Sequence, residues 1–142
     1  MMERLTPATL SSQDAEDIQN LFRELNPAKA QRPPNRVLRP DNPALMLVYR
    51  HEGRIVGMAT MVWYEVTSNF KGWIEDVVVA PSQRGQGIGR KLVTALLEEA
   101  SRLHLTEVFL YTEEEKQAAI QLYRSLGFER KASRLFHLKR QP

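Results

Sequence analysis

Cysteine is absent from the 142 residues, which rules out a disulfide framework, a thiolate metal site and a cysteine nucleophile. Long apolar runs are missing too: nothing approaches the roughly 18 residues of a membrane-spanning helix. The start, Met1-Met2-Glu3-Arg4-Leu5-Thr6-Pro7, has no apolar signal core. A cytoplasmic protein with no membrane partner is expected. An excess of one charge is also lacking, since 20 Lys and Arg face 17 Asp and Glu for a net charge of +3. A polyanion-binding composition is therefore absent, and no nucleic-acid partner is expected. The three histidines, His51, His104 and His137, have no ligand spacing, so no metal is expected. What remains, 42% apolar and 26% charged residues, is ordinary for a folded chain, and at this length predicts one domain over residues 1–142.

Charge is nevertheless uneven. Residues 124–142 carry Arg124, Arg130, Lys131, Arg134, Lys139 and Arg140 against one acid, Glu129. A strand edge bearing Lys and Arg accounts for this.

Periodicity divides the chain. Ser11 and Ser12 can cap a helix whose stripe is Ile18, Leu21, Phe22 and Leu25. Asn26 to Pro43 holds five of the eight prolines and reads as a loop with one helical turn near Arg36-Val37-Leu38. Ala44–Tyr49 and Ile55–Val66 form a β-hairpin around His51-Glu52-Gly53-Arg54. The polar break Thr67 to Gly72 leads into a third strand, Trp73 to Val79. Residues 87–102 show a broad apolar helical face, Glu107–Tyr111 a short strand, and Glu114–Leu126 a helix ended by Gly127. Phe128–Ser133 and Leu135–Leu138 read as two final strands. Alternation of strands and helices in the second half requires some parallel pairing, while the first half is an antiparallel meander. The fold class is α/β with a mixed sheet.

The chemistry concentrates in Pro81-Ser82-Gln83-Arg84-Gly85-Gln86-Gly87-Ile88-Gly89-Arg90, between a Val-rich strand and a long helix. The first amides of a helix lack internal partners and sit at the positive end of its dipole, a natural seat for a phosphate. Three alternate glycines let the main chain approach an oxygen-rich group, and Arg84, Arg90 and Lys91 add positive charge. The Walker pattern is absent because Lys91 and Leu92 follow Gly89-Arg90, and G-x-G-x-G does not match the dinucleotide G-x-G-x-x-G. Nucleoside triphosphatases and dehydrogenases are thereby excluded.

Arg84, Gly87 and Gly89 complete R-x-x-G-x-G in the form R-G-x-G-I-G, which resembles the GNAT family of N-acetyltransferases. Val77-Val78-Val79-Ala80-Pro81 resembles the strand leading into that family's loop. Ala119 to Phe128 resembles its later A-I-x-L-Y-x-x-x-G-F motif, and the interval between the two motifs also agrees. The resemblance implies a mostly antiparallel mixed sheet splayed at its centre, with helices on both faces. It implies acetyl coenzyme A as donor, with pyrophosphate on the amides of Arg84, Gly85, Gln86, Gly87, Ile88, Gly89 and Arg90, and pantetheine alongside Val77, Val78 and Val79. The thioester would lie between that strand and Glu107–Tyr111. The acceptor would be a small-molecule or peptide amine, and pairing of the final strands between subunits implies a homodimer. The stretch Gly72 to Val79 also resembles the glucosamine-6-phosphate N-acetyltransferase branch; a non-catalytic coenzyme A-binding regulatory module is the alternative from another class.

Acetyl transfer needs a neutral amine, and an amine of pKa near 10.4 is neutral about once in 2,500 at pH 7, a deficit of roughly 4.6 kcal/mol. Glu75 and Asp76 are the candidate bases, placed on opposite faces by a strand's period of two. The resemblance favours Glu75. It also puts Tyr123 at the general-acid position, four residues before Gly127, although Tyr123 lies on the packing stripe of Ala119, Leu122 and Leu126. Lys116 stands where many members have a cofactor-binding Asn, so either it reaches a phosphate instead or that contact is lost.

Overall fold

The computed structural model describes residues 1–141. The chain forms two compact units, Met1–Tyr111 and the remainder from Thr112.

The first unit is built on a five-stranded sheet in the order β1 (Met2–Leu5), β2 (Ala44–His51), β3 (Arg54–Glu65), β4 (Phe70–Val79) and β5 (Glu107–Phe109). All pairs are antiparallel except β4 with β5, so the sheet is mixed and mostly antiparallel. The strand β1 had no clear signal in its sequence, and β4 begins at Phe70, taking in three residues that read as a polar break. Helices cover both faces. Helix α1 (Ser12–Leu25) buries Ile18 and Leu21 with Met46, Val48, Met58 and Val78. Its start is a reciprocal box in which Ser11 Oγ accepts from the Asp14 amide and Asp14 accepts from the Ser11 amide. On the opposite face α3 (Ile88–Arg102) buries Leu92, Val93 and Leu96. A Cβ on Gly57 of β3 would stand 2.9 Å from Ile88 Cγ2, so the missing side chain is what lets the first turn of α3 lie against the sheet.

Two arginines lock α1 to the β2–β3 hairpin. The Arg50 guanidinium donates to both oxygens of Asp14 at 2.8 and 3.0 Å, and Arg54 donates through Nε to both oxygens of Asp17 at 3.1 Å. Asp17, 4% exposed, also accepts the Ile55 amide at 3.0 Å. Between α1 and β2 the proline-rich stretch runs as loop with one short helix, α2 (Pro34–Val37).

The second unit contains α4 (Gln117–Ser125), ended at Gly127 with φ +96°. The two strands expected over Phe128–Ser133 and Leu135–Leu138 are not formed: no strand occurs among the described residues after β5. Alternation supplies a pattern, but a strand exists only where a neighbour closes its ladder. Phe136 is accordingly 90% exposed, with Leu135 and Leu138 also open to solvent.

Candidate active site

The centre of the site is the way β4 stops matching its neighbours. Along β3, Met58 pairs with Val78 and Thr60 with Glu75, so one residue, Ala59, opposes two, Asp76 and Val77. This is a β-bulge, and Asp76 takes the left-handed conformation at φ +53° that an Asp tolerates better than a β-branched residue. The period of two that separates Glu75 from Asp76 in the sequence reading is broken at this point. Glu75 lies opposite Thr60, on the face that α1 covers further along the sheet. Strand β5 meets β4 only at Lys71, Gly72 and Trp73. From Ile74 to Val79 that edge of β4 has no strand beside it among the described residues, which is the expected splay. The Ala80 amide donates to Val56 O at 2.8 Å, which makes Gly57 and Val79 a non-hydrogen-bonded pair. The amide and carbonyl of Val79 therefore face the open edge. Val79 O accepts Arg84 Nε at 3.0 Å, so Arg84 braces the loop against β4.

The carboxylates at the bulge have an uncommon environment. Burial raises the Glu75 pKa, the neighbouring Asp76 charge raises it further, and Lys29 opposes both. Asp76 is exposed as a residue, yet partial desolvation of its carboxyl raises its pKa, and Lys29 again counteracts. Lys29, from the loop after α1, went unnoticed in the sequence because a single lysine among prolines carries no spacing signal.

One turn of 3₁₀ helix, Pro81–Gln83, then leads into the glycine segment. Gly85 and Gly87 have φ +81° and +78°, and a Cβ on either would point into open space with no atom within 4 Å. The Lys91 amide bonds to Gly87 O at 3.0 Å, opening α3, and Gly87 provides no side-chain cap. The amides of Ile88 and Gly89 thus stand ahead of the helix's own ladder, at its positive end, beside a bare surface. An anion with peptide-like groups behind it fits this loop and the adjoining edge of Val79. Gln86 donates to Gln83 Oε1 at 3.3 Å, and Lys91 lies 5.5 Å over the Tyr49 ring. Arg90 is exposed in the first turn of α3. Val77 is half-buried within the bulge, and Val78 is core.

In the second unit Tyr123 is partly buried, edge-on to Phe128 with ring centroids 6.0 Å apart, and burial raises its phenol pKa. Lys116 is the residue at which α4 begins, and its side chain caps nothing. Among the described residues no cluster of three or more His, Cys, Asp or Glu is placed to hold a metal, and no helix is long and apolar enough to cross a membrane.

Comparison with known proteins agrees with this geometry. The model of the Acetyltransferase (GNAT) family matches residues 15–128, and the chain belongs to that family. It is similar to N-alpha-acetyltransferase MAK3 of Arabidopsis thaliana, 35% identical over 95 residues that make up 67% of this chain and 50% of the relative. Mycothiol acetyltransferase of Kocuria rhizophila is 44% identical over 59 residues, 42% of this chain and 20% of the relative. The chain thus spans half or less of these relatives' lengths. Among solved structures, the aminoglycoside acetyltransferase meta-AAC0020 from an uncultured soil metagenomic sample superposes with a TM-score of 0.82 at 23% identity, covering 99% of this chain and 96% of that one. At that identity the likeness is one of fold.

Proposed function

We propose that this chain transfers the acetyl group of acetyl coenzyme A to a primary amine by direct attack, with Glu75 as base and Tyr123 as general acid. The observation that carries this reading is the open edge of β4, from Ile74 to Val79, running directly into two left-handed glycines at the start of α3. That edge offers Val79 backbone groups to the amides of pantetheine, and the amides of Gly85 to Gly89 receive the pyrophosphate. The donor supplies an activated acetyl group.

Glu75 takes a proton from the acceptor ammonium. Its raised pKa makes it a stronger base than an ordinary carboxylate, and Lys29 limits the rise. The freed amine forms the C–N bond to the carbonyl carbon, the C–S bond breaks as Tyr123 gives its proton to the departing sulfur, and the new amide nitrogen sheds its surplus proton to solvent. Burial keeps that proton on Tyr123 at neutral pH and makes its transfer steeper than the roughly 2 kcal/mol that separates an ordinary phenol from a thiol. Solvent then restores both residues. No covalent enzyme intermediate is formed, in keeping with a chain without cysteine. The test is thiol release from acetyl coenzyme A across a panel of amines. Acceleration by at least one amine is expected; calorimetric binding of the donor with no amine accelerating release would leave a coenzyme A-binding module instead.

A further inference from the structure

On the face of the sheet that carries Glu75 lies a group of aromatic rings that the acetyl-transfer chemistry does not use. Trp73 precedes Glu75 by two residues on β4 and so shares its face. Its register partner on β5 is Phe109, and the two rings stack with centroids 5.1 Å apart and planes 27° from parallel. Tyr111 meets Trp73 edge-on at 6.2 Å. On the other side, Trp73 Nε1 donates to the Tyr64 hydroxyl at 3.3 Å, which fixes the indole's orientation. Core packing alone does not require this arrangement, because Tyr64 is 44% and Tyr111 64% exposed. Four rings, three from β3, β4 and β5 and the fourth, Tyr111, two residues beyond β5, thus form a partly open wall on the face that carries Glu75. The wall already attracts one cation: the Lys71 ammonium lies 5.6 Å over Phe109.

Two residues of strand span about 6.7 Å. A ligand whose ring rests against Trp73 would therefore place a cationic group at Glu75 only if two or three atoms separate the ring from the nitrogen. We infer that the acceptor is a primary amine joined through a linker of that length to a flat apolar ring, which Trp73 and Tyr111 seat while the acidic pair receives the ammonium. This rests on the acetyl-transfer reading above and narrows it to a substrate class. Two sources share the chemistry, a free arylalkylamine and a peptide whose first residue is aromatic. An amino sugar, with hydroxyls in place of a ring face, gains nothing from the wall.

The experiment uses the full chain with saturating acetyl coenzyme A and compares phenethylamine, tryptamine, n-propylamine, glucosamine, and Phe-initiated and Ala-initiated tripeptides. Ring-bearing amines are expected to exceed n-propylamine in kcat/KM by at least about tenfold, the difference residing in KM. Trp73→Leu should erase that preference, raising KM for phenethylamine about tenfold with kcat within about twofold. A second measurement needs neither turnover nor that variant. In Trp63→Phe the only remaining indole is Trp73, and its fluorescence should change and saturate on titration with N-acetylphenethylamine. Preference for the Phe-initiated peptide over phenethylamine would assign the ring to a peptide, and the reverse to a free amine; either supports the proposal. Equal kcat/KM for n-propylamine and phenethylamine overturns it while leaving acetyl transfer intact. A saturable Trp73 signal in a protein that acetylates no amine would uphold the ring site and remove the catalytic reading.

Discussion

Gly57 links the packing of the sheet to the donor site, and replacing it by Ala separates the two effects quantitatively. The new Cβ would stand 2.9 Å from Ile88 Cγ2 and 3.2 Å from Leu92 Cδ1, about half an ångström inside ordinary contact. Ile88 is the first residue of α3, so relief comes most readily by moving that turn away from β3. Overpacking of this kind costs about 1–2 kcal/mol, which for a chain of this size lowers Tm by roughly 3–8 °C. The same displacement carries the amides of Ile88 and Gly89 off the positions from which they would bind the proposed pyrophosphate. Hydrogen bonds to charged groups are worth about 1.5–3 kcal/mol, so partial loss of one or two should weaken acetyl coenzyme A binding roughly ten- to a hundredfold. Calorimetry and thermal melts on Gly57→Ala, Ile88→Ala and the double variant form a cycle. Because Ile88→Ala removes the clashing methyl, the double variant should bind the donor more tightly than Gly57→Ala, with a coupling of at least about 0.5 kcal/mol. Donor affinity unchanged in Gly57→Ala, or no recovery in the double variant, would refute the link between this close approach and the anion site.

Four further outcomes follow from named contacts. Gly87→Glu points a carboxylate into the open space before α3 and should abolish donor binding in calorimetry while the far-ultraviolet circular dichroism stays native, apart from a small cost for the left-handed backbone. Because burial and Asp76 raise the Glu75 pKa and Lys29 lowers it, removing Lys29 by Lys29→Met should move the acid limb of the kcat/KM profile to higher pH, and Glu75→Gln should abolish that limb; a profile insensitive to Lys29 refutes the pairing. Tyr123→Phe keeps the ring against Phe128 and should lower kcat by roughly 10²–10⁴ with donor affinity nearly unchanged, whereas wild-type turnover would reduce Tyr123 to packing. Asp17→Ala leaves the Ile55 amide without its acceptor and should cost about 2–4 kcal/mol in urea melts near neutral pH. The Asp17 pKa is lowered by Arg54, so its contribution is complete above the ordinary carboxyl value of 3.8 and disappears as pH falls through the lower folded value; the variant and the parent should converge in that acid range.

The legible parts of the fold were those that local spacing encodes. The stripe Ile18, Leu21, Phe22 and Leu25 placed α1, and the run from Ile88 to Ala100 placed α3 with the alternate glycines Gly85, Gly87 and Gly89 at its start. The parts that escaped depend on a partner elsewhere in the chain. Met2–Leu5 is a strand because β2 lies beside it, and Phe128–Leu138 is not one because its alternation finds no neighbour among the described residues. The bulge at Asp76 is a mismatch between two strands, invisible in either alone, and with it went the geometry of the acidic pair. Lys29 and the stacking of Trp73 on Phe109 are likewise products of tertiary proximity rather than of any motif.

The short contact between β4 and β5 has a consequence for the protein's endurance as well as its chemistry. Three residues of pairing with β5 followed by six without leave β4, the fourth of the five strands, unfinished along one border. A molecule that fills that border completes the ladder, and whatever free energy it releases there is added to that of folding. For a donor present at a hundred times its dissociation constant the addition is about 2.7 kcal/mol, a large fraction of what keeps most domains folded. If the proposed acetyl coenzyme A is the molecule that fills the border, the lifetime of this protein would track the donor's supply, the bare border opening more often to proteases and the filled one less often.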